Sequence, residues 1–393
     1  MTIGGERELD VLLLGATGFT GGLVAHELAQ RVEGTTVRWG IAGRDVTTLE
    51  RVRDELPGSP EVVRVDVTDP ASLAAMAART RVVATTVGPY ARLGVDVARA
   101  CAEHGTHYAD ITGEEAFVRT LERDIDPLAR ASGATLVVCC GFDSVPHDLV
   151  VQLAVAQLPD DAEVEMRGYV RAHGRMSGGT ARTALDAVSG ATPMPSRARP
   201  TEETQGRTVQ PLDVGVHRPA RLGGWAVPMP TVDPAIVLRS ARTLPEYGRR
   251  FTYGHYAHVR RTSTLVAGGV VLGGAMLAAR TGPGHAALER LLPSPGEGPD
   301  AATRAEGRFT VLAVGTARDG AGRRTADVVA RVRGGDPGYG ETSRMLAEAA
   351  LTLASGERPD VTGVVTPAVG LGLPYRRRLE DAGIRFEVVE VGS

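Results

Sequence analysis

Residues 9–21, Leu-Asp-Val-Leu-Leu-Leu-Gly-Ala-Thr-Gly-Phe-Thr-Gly, constrain the fold more than any other stretch of the chain. A short apolar run enters three glycines spaced G-x-x-G-x-x-G, and apolar periodicity resumes over 23–28. That pattern reads as a buried parallel strand, a tight turn and the start of a helix. Gly15 would let the chain turn sharply, Gly18 would admit main-chain N–H groups close to a pyrophosphate, and Gly21 would let helix and strand approach. Thr17, Phe19 and Thr20 fill the turn, and the helix N-terminus directs its partial positive charge to the same point. A glycine turn with no ligand has the same spacing, so the choice between them falls to the strands and loops downstream.

Further strands are expected at 37–42, 61–66, 81–87, within 106–114 and at 135–140, with helices at about 94–104 and 117–132. Strands alternating with helices predict an α/β fold, a Rossmann-type doubly wound parallel sheet with its ligand beyond the carboxyl ends of the strands. The second strand ends in Gly43-Arg44, where such folds read the ribose. Arg44 offers a planar fork of donors to a 2′-phosphate and so favours NADP, while the adjacent Asp45 could instead take the 2′-hydroxyl of NAD. Asp66, at the end of the third strand, either borders the adenine or caps the next helix. Gly88, Pro89 and Tyr90 follow the fourth strand, facing the nicotinamide half, and Tyr90 is a candidate proton donor. Cys139 and Cys140, read as successive strand residues, would point to opposite faces and serve packing.

At 393 residues the chain calls for two domains. A net charge of −3 argues against a nucleic-acid partner. Cys101, Cys139 and Cys140 form no C-x-x-C pair, which suits a reducing cytoplasm and no structural metal, and residues 1–8 carry no secretory pattern. All 44 basic residues are arginine, and asparagine is absent too. Schiff-base catalysis, the P-loop lysine and a Tyr-x-x-x-Lys pair are therefore excluded.

After the sixth strand comes Gly141-Phe142-Asp143-Ser144-Val145-Pro146-His147-Asp148. With the glycine turn, Ala42-Gly43-Arg44, Val87-Gly88-Pro89-Tyr90 and Tyr108-Ala109-Asp110-Ile111-Thr112-Gly113-Glu114, it resembles the saccharopine dehydrogenase-like oxidoreductases, and among them the bacterial trans-acting enoyl reductases. The likeness extends through Met176-Ser177-Gly178-Gly179-Thr180 and Gly335-Asp336-Pro337-Gly338-Tyr339-Gly340-Glu341-Thr342. The resemblance implies an NADP-binding domain, a mixed α/β substrate domain and last helices that return to the first domain. It also implies reduction of a double bond in an acyl or polyketide chain on a carrier domain, in lipid or glycolipid synthesis.

The expected division is 1–146, 147–337 and 338–393, the second part holding a mixed or antiparallel sheet with strands at 162–172, 250–260, 308–317 and 325–332. A helix is expected at 178–188, a loop at 191–207, a helix at 342–354 and strands at 361–366 and 386–391. Hydride delivery to an enoyl thioester needs donors for the thioester oxygen and a proton for the α-carbon. Tyr90 as donor and Asp143 and Ser144 as donors or orienting groups are the candidates for that chemistry, Asp143-Ser144 being equally readable as a turn joining the domains. His147, His173 and Tyr339 are further candidates whose simpler reading is structural. An imine reductase would instead need cations such as Arg171, Arg175 and Arg182, and a dinucleotide-binding protein without turnover would need no acid–base pair. Residues 265–279 carry no charge and lie between Arg260-Arg261 and Arg280. The stretch is short for a bilayer crossing and suits a buried helix, a homodimer seam or contact with the inner face of the plasma membrane.

Overall fold

The computed structural model describes residues 7–174, 202–204, 206–212, 215–229, 231–279, 281–291 and 298–392. The chain divides into two compact units, one of Met1–Val145 with Gly338–Gly383 and the other of Pro146–Pro337 with Ile384–Ser393. The first break falls beside the expected boundary, but the C-terminal segment expected as one piece is shared between the units.

The first unit is built on strands β1 (Leu9–Leu14), β2 (Trp39–Gly43), β3 (Glu61–Arg64), β4 (Thr80–Thr85), β5 (His107–Asp110), β6 (Thr135–Val137) and β14 (Gly363–Val365). Their order is β14-β6-β5-β4-β1-β2-β3, and each neighbouring pair is parallel. Strand order reverses between β1 and β4, which opens a crevice beyond their carboxyl ends. Val11, Leu12 and Leu13 are all fully buried. Helices on both faces of a parallel sheet explain why the strand reads as a continuous apolar run.

Helix Phe19–Val32 buries Gly21, Val24, Ala25, Leu28 and Ala29, one stripe at helical spacing. Helix Gly340–Ser355 packs against it and against β1, β4 and β5. Its Met345, Leu346 and Leu353 are buried, each stabilising the unit by roughly 1.5–3 kcal/mol. The single helix expected at 117–132 is two, Glu115–Asp124 and Asp126–Ser132. Pro127, which has no N–H to donate, sits in the first turn of the second.

The second unit's sheet contains β7 (Glu163–His173), β8 (Glu202–Thr204), β9 (Arg207–Pro211), β10 (Trp225–Pro228), β11 (Arg250–Val259), β12 (Arg308–Arg318), β13 (Arg324–Gly334) and β15 (Arg385–Gly392). The order is β15-β13-β12-β7-β11-β9-β8, with β10 on β11. It is mixed: β11 runs parallel to β7 and β9, while the other pairs are antiparallel. Glu202–Thr204, expected as loop, pairs with β9. Helix Asp233–Thr243 packs on β9 and β11. The 176–180 motif and the helix expected at 178–188 lie outside the described residues, as does most of the 191–207 loop.

Besides its pairing with β6, the short edge strand β14 is held by a side chain, since Asp126 Oδ1 accepts the Val364 N–H at 2.8 Å. Asp126→Ala should cost about 1–2 kcal/mol and speed amide exchange at Val364. Unchanged exchange there would show that the strand is held by other contacts.

Candidate dinucleotide site

Main-chain contacts close the turn after β1. The Gly18 N–H donates to the Gly15 carbonyl at 3.1 Å, Gly15 N–H to the Ala42 carbonyl at 2.9 Å, and Thr86 N–H to the Leu14 carbonyl at 3.0 Å. Gly15 has a φ of +97°, and a Cβ there would lie 2.8 Å from Thr86 Oγ1 and Val87 Cγ2. A Cβ on Gly21 would run into the Gly15 carbonyl itself. Gly18 differs, because a Cβ on it would meet only the Gly15 oxygen, at 3.5 Å. The protein's own packing does not require glycine at 18, whereas a pyrophosphate approaching from outside would.

The next three helices start under carboxylates. Asp45 accepts the Thr48 N–H at 3.1 Å and its hydroxyl at 2.6 Å, at the head of helix Val46–Asp54. Asp69 accepts the Ala71 N–H at 3.0 Å, at the head of helix Pro70–Arg79. The two carboxylate oxygens of Glu114 accept the N–H groups of Tyr90 and Ala91 at 2.8 and 2.9 Å, at the head of helix Tyr90–Glu103. Helix Phe19–Val32 starts at Gly18 with no side-chain cap and no acidic residue in its first turn. Its N-cap is a glycine and its own first turn carries no acid, so its dipole favours an anion at that end. Its first residue, Phe19, stands edge-on to Tyr339 with ring centroids 5.0 Å apart, so the segment leading into helix Gly340–Ser355 braces the turn.

The ribose-reading candidates separate in the same way. Both Asp45 oxygens are engaged by Thr48, leaving the exposed Arg44 as the cation at the end of β2. The Asp66 carboxylate accepts the Thr68 N–H and hydroxyl at 3.0 and 2.7 Å, and these bonds, with Arg44 and Arg64 nearby, hold its pKa below the usual range. Asp66 therefore shapes the turn before helix Pro70–Arg79 and lends Arg44 a negative neighbour. Gly88 and Pro89 are exposed beyond β4, and Thr17 and Gly18 are exposed in the turn, with Phe19 and Thr20 half-buried.

The chemistry candidates fare less well. Tyr90 is buried, its hydroxyl donating to the Thr85 carbonyl at 3.1 Å and accepting from the Ile111 N–H at 3.4 Å. Burial, reinforced by Asp110, pushes its pKa well above the ordinary tyrosine value. Tyr90 is thus a strut between the ends of β4 and β5, its hydroxyl engaged by main-chain groups of both. Ser144 is fully buried, with its hydroxyl beside the Cys139 thiol. Asp143 is half-exposed and alone of the three reaches the surface.

Sequence reasoning missed Asp110. It is fully buried at the end of β5, where Oδ1 accepts the N–H groups of Thr112 and Cys139 at 3.0 and 2.9 Å. Its main-chain carbonyl accepts the Cys140 N–H at 2.6 Å. These bonds draw the chain out of β6 after Val137 and set Cys139 at a φ of +61°, so the two cysteines are loop residues, not alternating strand residues. Asp110 thereby fixes the loops carrying Glu114 and Asp143. The only signal was an acid ending an apolar strand.

Residues 11–137 match the family model of the saccharopine dehydrogenase NADP-binding domain. A Mycobacterium tuberculosis protein provisionally named a trans-acting enoyl reductase is 36% identical, the match covering 98% of this chain and 99% of that one. Trans-acting enoyl reductases of Mycobacterium bovis and Mycobacterium ulcerans are each 33% identical, over 96% of this chain and 97% of theirs. The chain belongs to the trans-acting enoyl reductase family. Its fold is that of apo saccharopine dehydrogenase (L-Glu forming) from Saccharomyces cerevisiae, at a TM-score of 0.55 and 13% identity over 98% of this chain and 99% of that one. As a member of the saccharopine dehydrogenase-like oxidoreductases it is an NAD(P)-dependent enzyme, and the NADP-binding domain ends at the last residue of β6.

The second unit of this enoyl reductase family member buries a different polar group. His147 Nδ1 lies 2.8 Å from Asp233 Oδ1, and His255 Nε2 lies 3.7 Å from Asp233 Oδ2. The Tyr253 hydroxyl lies 3.0 Å from His255 Nδ1. Burial lowers the His255 pKa to about 4. Burial works to raise that of Asp233, but the two imidazoles more than offset it. The three residues' ligand atoms gather within 4.8 Å of one another. The 2.8 Å pair is nevertheless at hydrogen-bond distance, shorter than the roughly 3.4 Å between two atoms bound to one tetrahedral zinc. The group is a close-set buried polar cluster, joined to Tyr253 through His255 Nδ1. Of the cations considered for a substrate carboxylate, Arg171 Nη2 is held 2.7 Å from His258 Nδ1, and Arg175 and Arg182 lie outside the described residues.

Arg44→Ala should weaken NADPH binding about ten- to a hundredfold, the worth of lost charge-assisted hydrogen bonds, with NADH affinity nearly unchanged in calorimetric titration. Equal weakening of both would remove the 2′-phosphate assignment. For Asp110, burial raises the pKa from 3.8 to about 6 against the pull of its N–H donors. The folded chain therefore binds that proton more tightly than the unfolded chain. The stability it contributes is present below about pH 4 and is lost as pH rises through about 6. Denaturant midpoints should show this ramp, roughly 3 kcal/mol, in the wild type relative to Asp110→Asn, whose amide oxygen still accepts both N–H groups. Parallel profiles for the two proteins would refute it.

Proposed function

We propose that the chain is an NADPH-dependent enoyl reductase that saturates a carbon–carbon double bond in an acyl or polyketide chain presented on a carrier domain. Its setting in this reading is lipid or glycolipid synthesis, on the cytoplasmic side of the membrane. One observation carries the cofactor half: helix Phe19–Val32 begins at a glycine with no acidic residue in its first turn, and Arg44 is exposed at the end of the neighbouring strand β2. The enoyl half rests on relatives of nearly full length that bear the trans-acting enoyl reductase name.

Bound NADPH supplies the hydride. Main-chain N–H groups of the 15–21 turn hold the diphosphate, and Arg44 pairs with the 2′-phosphate while Asp66 stays with Thr68. Gly88 and Pro89, without polar side chains, leave the end of β4 open to the nicotinamide half. Hydride arrival at the β-carbon moves negative charge onto the thioester oxygen, and the α-carbon then takes a proton. With Tyr90 and Ser144 buried, Asp143 is the group in this reading that orients a water to deliver that proton. Reduction of an imine would need cations for substrate carboxylates, and Arg171 is instead engaged by His258.

NADPH oxidation should proceed with a carrier-bound or pantetheine enoyl thioester and yield the saturated thioester by mass spectrometry. It should not proceed with a cyclic imine or without substrate. NADPH binding with no turnover on any of these would favour a non-catalytic role, and turnover on the imine alone would replace the enoyl assignment.

A further inference from the structure

Helix Thr262–Ala279 runs for 18 residues without a charged side chain. Val266, Val270, Val271 and Leu277 are 60%, 71%, 71% and 70% exposed. Gly268, Gly269, Gly273 and Gly274 have so much room that a Cβ on any of them would meet nothing within 4 Å. No part of the described protein covers this helix along those positions. A helix apolar on every face is stable only when something apolar surrounds it, because water receives no polar face from it.

A second copy of the chain would bury one stripe and leave the rest wet, whereas hydrocarbon covers all sides. At ~1.5 Å per residue the helix is about 27 Å long, close to the thickness of a bilayer's hydrocarbon. The described strands and helices do not match a crossing, however. The excursion leaves from the end of β11, where Ala257 pairs with Val170, and returns at the start of β12, where Arg308 pairs with His173. Both ends therefore emerge at the same end of β7. The helix after it, Gly282–Leu291, has 10 residues and is too short to cross back. Arg260 and Arg261 stand exposed where the first helix begins, and Arg280 follows it in the sequence. Their long side chains suit anionic headgroups.

We propose that helices Thr262–Ala279 and Gly282–Leu291 together enter one leaflet of an anionic membrane from a single side, anchoring the enzyme without spanning. This goes beyond the enoyl reductase reading and does not depend on it. The test is flotation of the full chain with vesicles of phosphatidylcholine and phosphatidylglycerol, beside vesicles of phosphatidylcholine alone. The wild type should float with the mixed vesicles, and less with the neutral ones. The triple variant Val266→Asp, Val270→Asp, Val271→Asp should remain in the aqueous fraction, its flotation falling at least tenfold. NADPH affinity, measured on the same preparation, should be unchanged and shows that the variant is folded. Sedimentation equilibrium supplies the contrary outcome. A wild type that does not float, or a dimer that the triple variant turns into a monomer, would overturn the proposal and make a second copy the occupant. Failure of enoyl turnover would leave the flotation result standing, so the two readings fail separately.

Discussion

The first unit depends on one close approach, that of Gly21 to the carbonyl of Gly15. Because no Cβ intervenes, helix Phe19–Val32 starts against the end of β1, at the point where strand order reverses. The same contact aims the helix's first-turn amides into the crevice rather than along the sheet's flank. Gly15 turns the chain and Gly21 seats the helix, both for reasons internal to the protein, while the packing around Gly18 leaves room for a Cβ.

Carboxylates organise the rest of that rim by where they stand. Asp45, Asp69 and Glu114 satisfy the helices that start after β2, β3 and β4, and Asp110 ties the loops after β5 and β6 together. Each removes negative charge from contention by hydrogen-bonding it to the backbone. The first helix carries no acid in its own first turn. Specificity for a phosphate-rich ligand is here as much a matter of where acids are neutralised as of where a base is placed.

Much of this was legible from the residues. Parallel strands covered on both faces read as short apolar runs, and β1 through β6 were visible for that reason, as was the glycine turn. Strand ends were overestimated at β3, β4 and β6, because apolar letters continue past the point where Asp66, Thr85 and Asp110 bend the chain with local hydrogen bonds. The surroundings of Tyr90 were not legible, because a tyrosine at a crevice looks the same in sequence whether its hydroxyl faces substrate or a carbonyl. Only the fold supplies Thr85 and Ile111 as its partners. Asp110 was missed because its value is three-dimensional: its acceptors serve amides 2 and 29 residues away. Pairing of β15 with β13 is likewise a long-range choice that no local pattern announces.

The chain's itinerary between its units has a consequence for how the molecule is made. Residues Gly338–Gly383 complete a sheet and helix layer begun by Met1–Val145, and Ile384–Ser393 then add the outermost strand to the other unit. Neither unit is encoded by one uninterrupted stretch. During synthesis the nucleotide-binding layer must wait, with the flank that helix Gly340–Ser355 will cover still bare, until almost the entire polypeptide has left the ribosome. Maturation is therefore a nearly all-at-the-end event, and the gene offers no single point at which it could be cut into two self-sufficient halves.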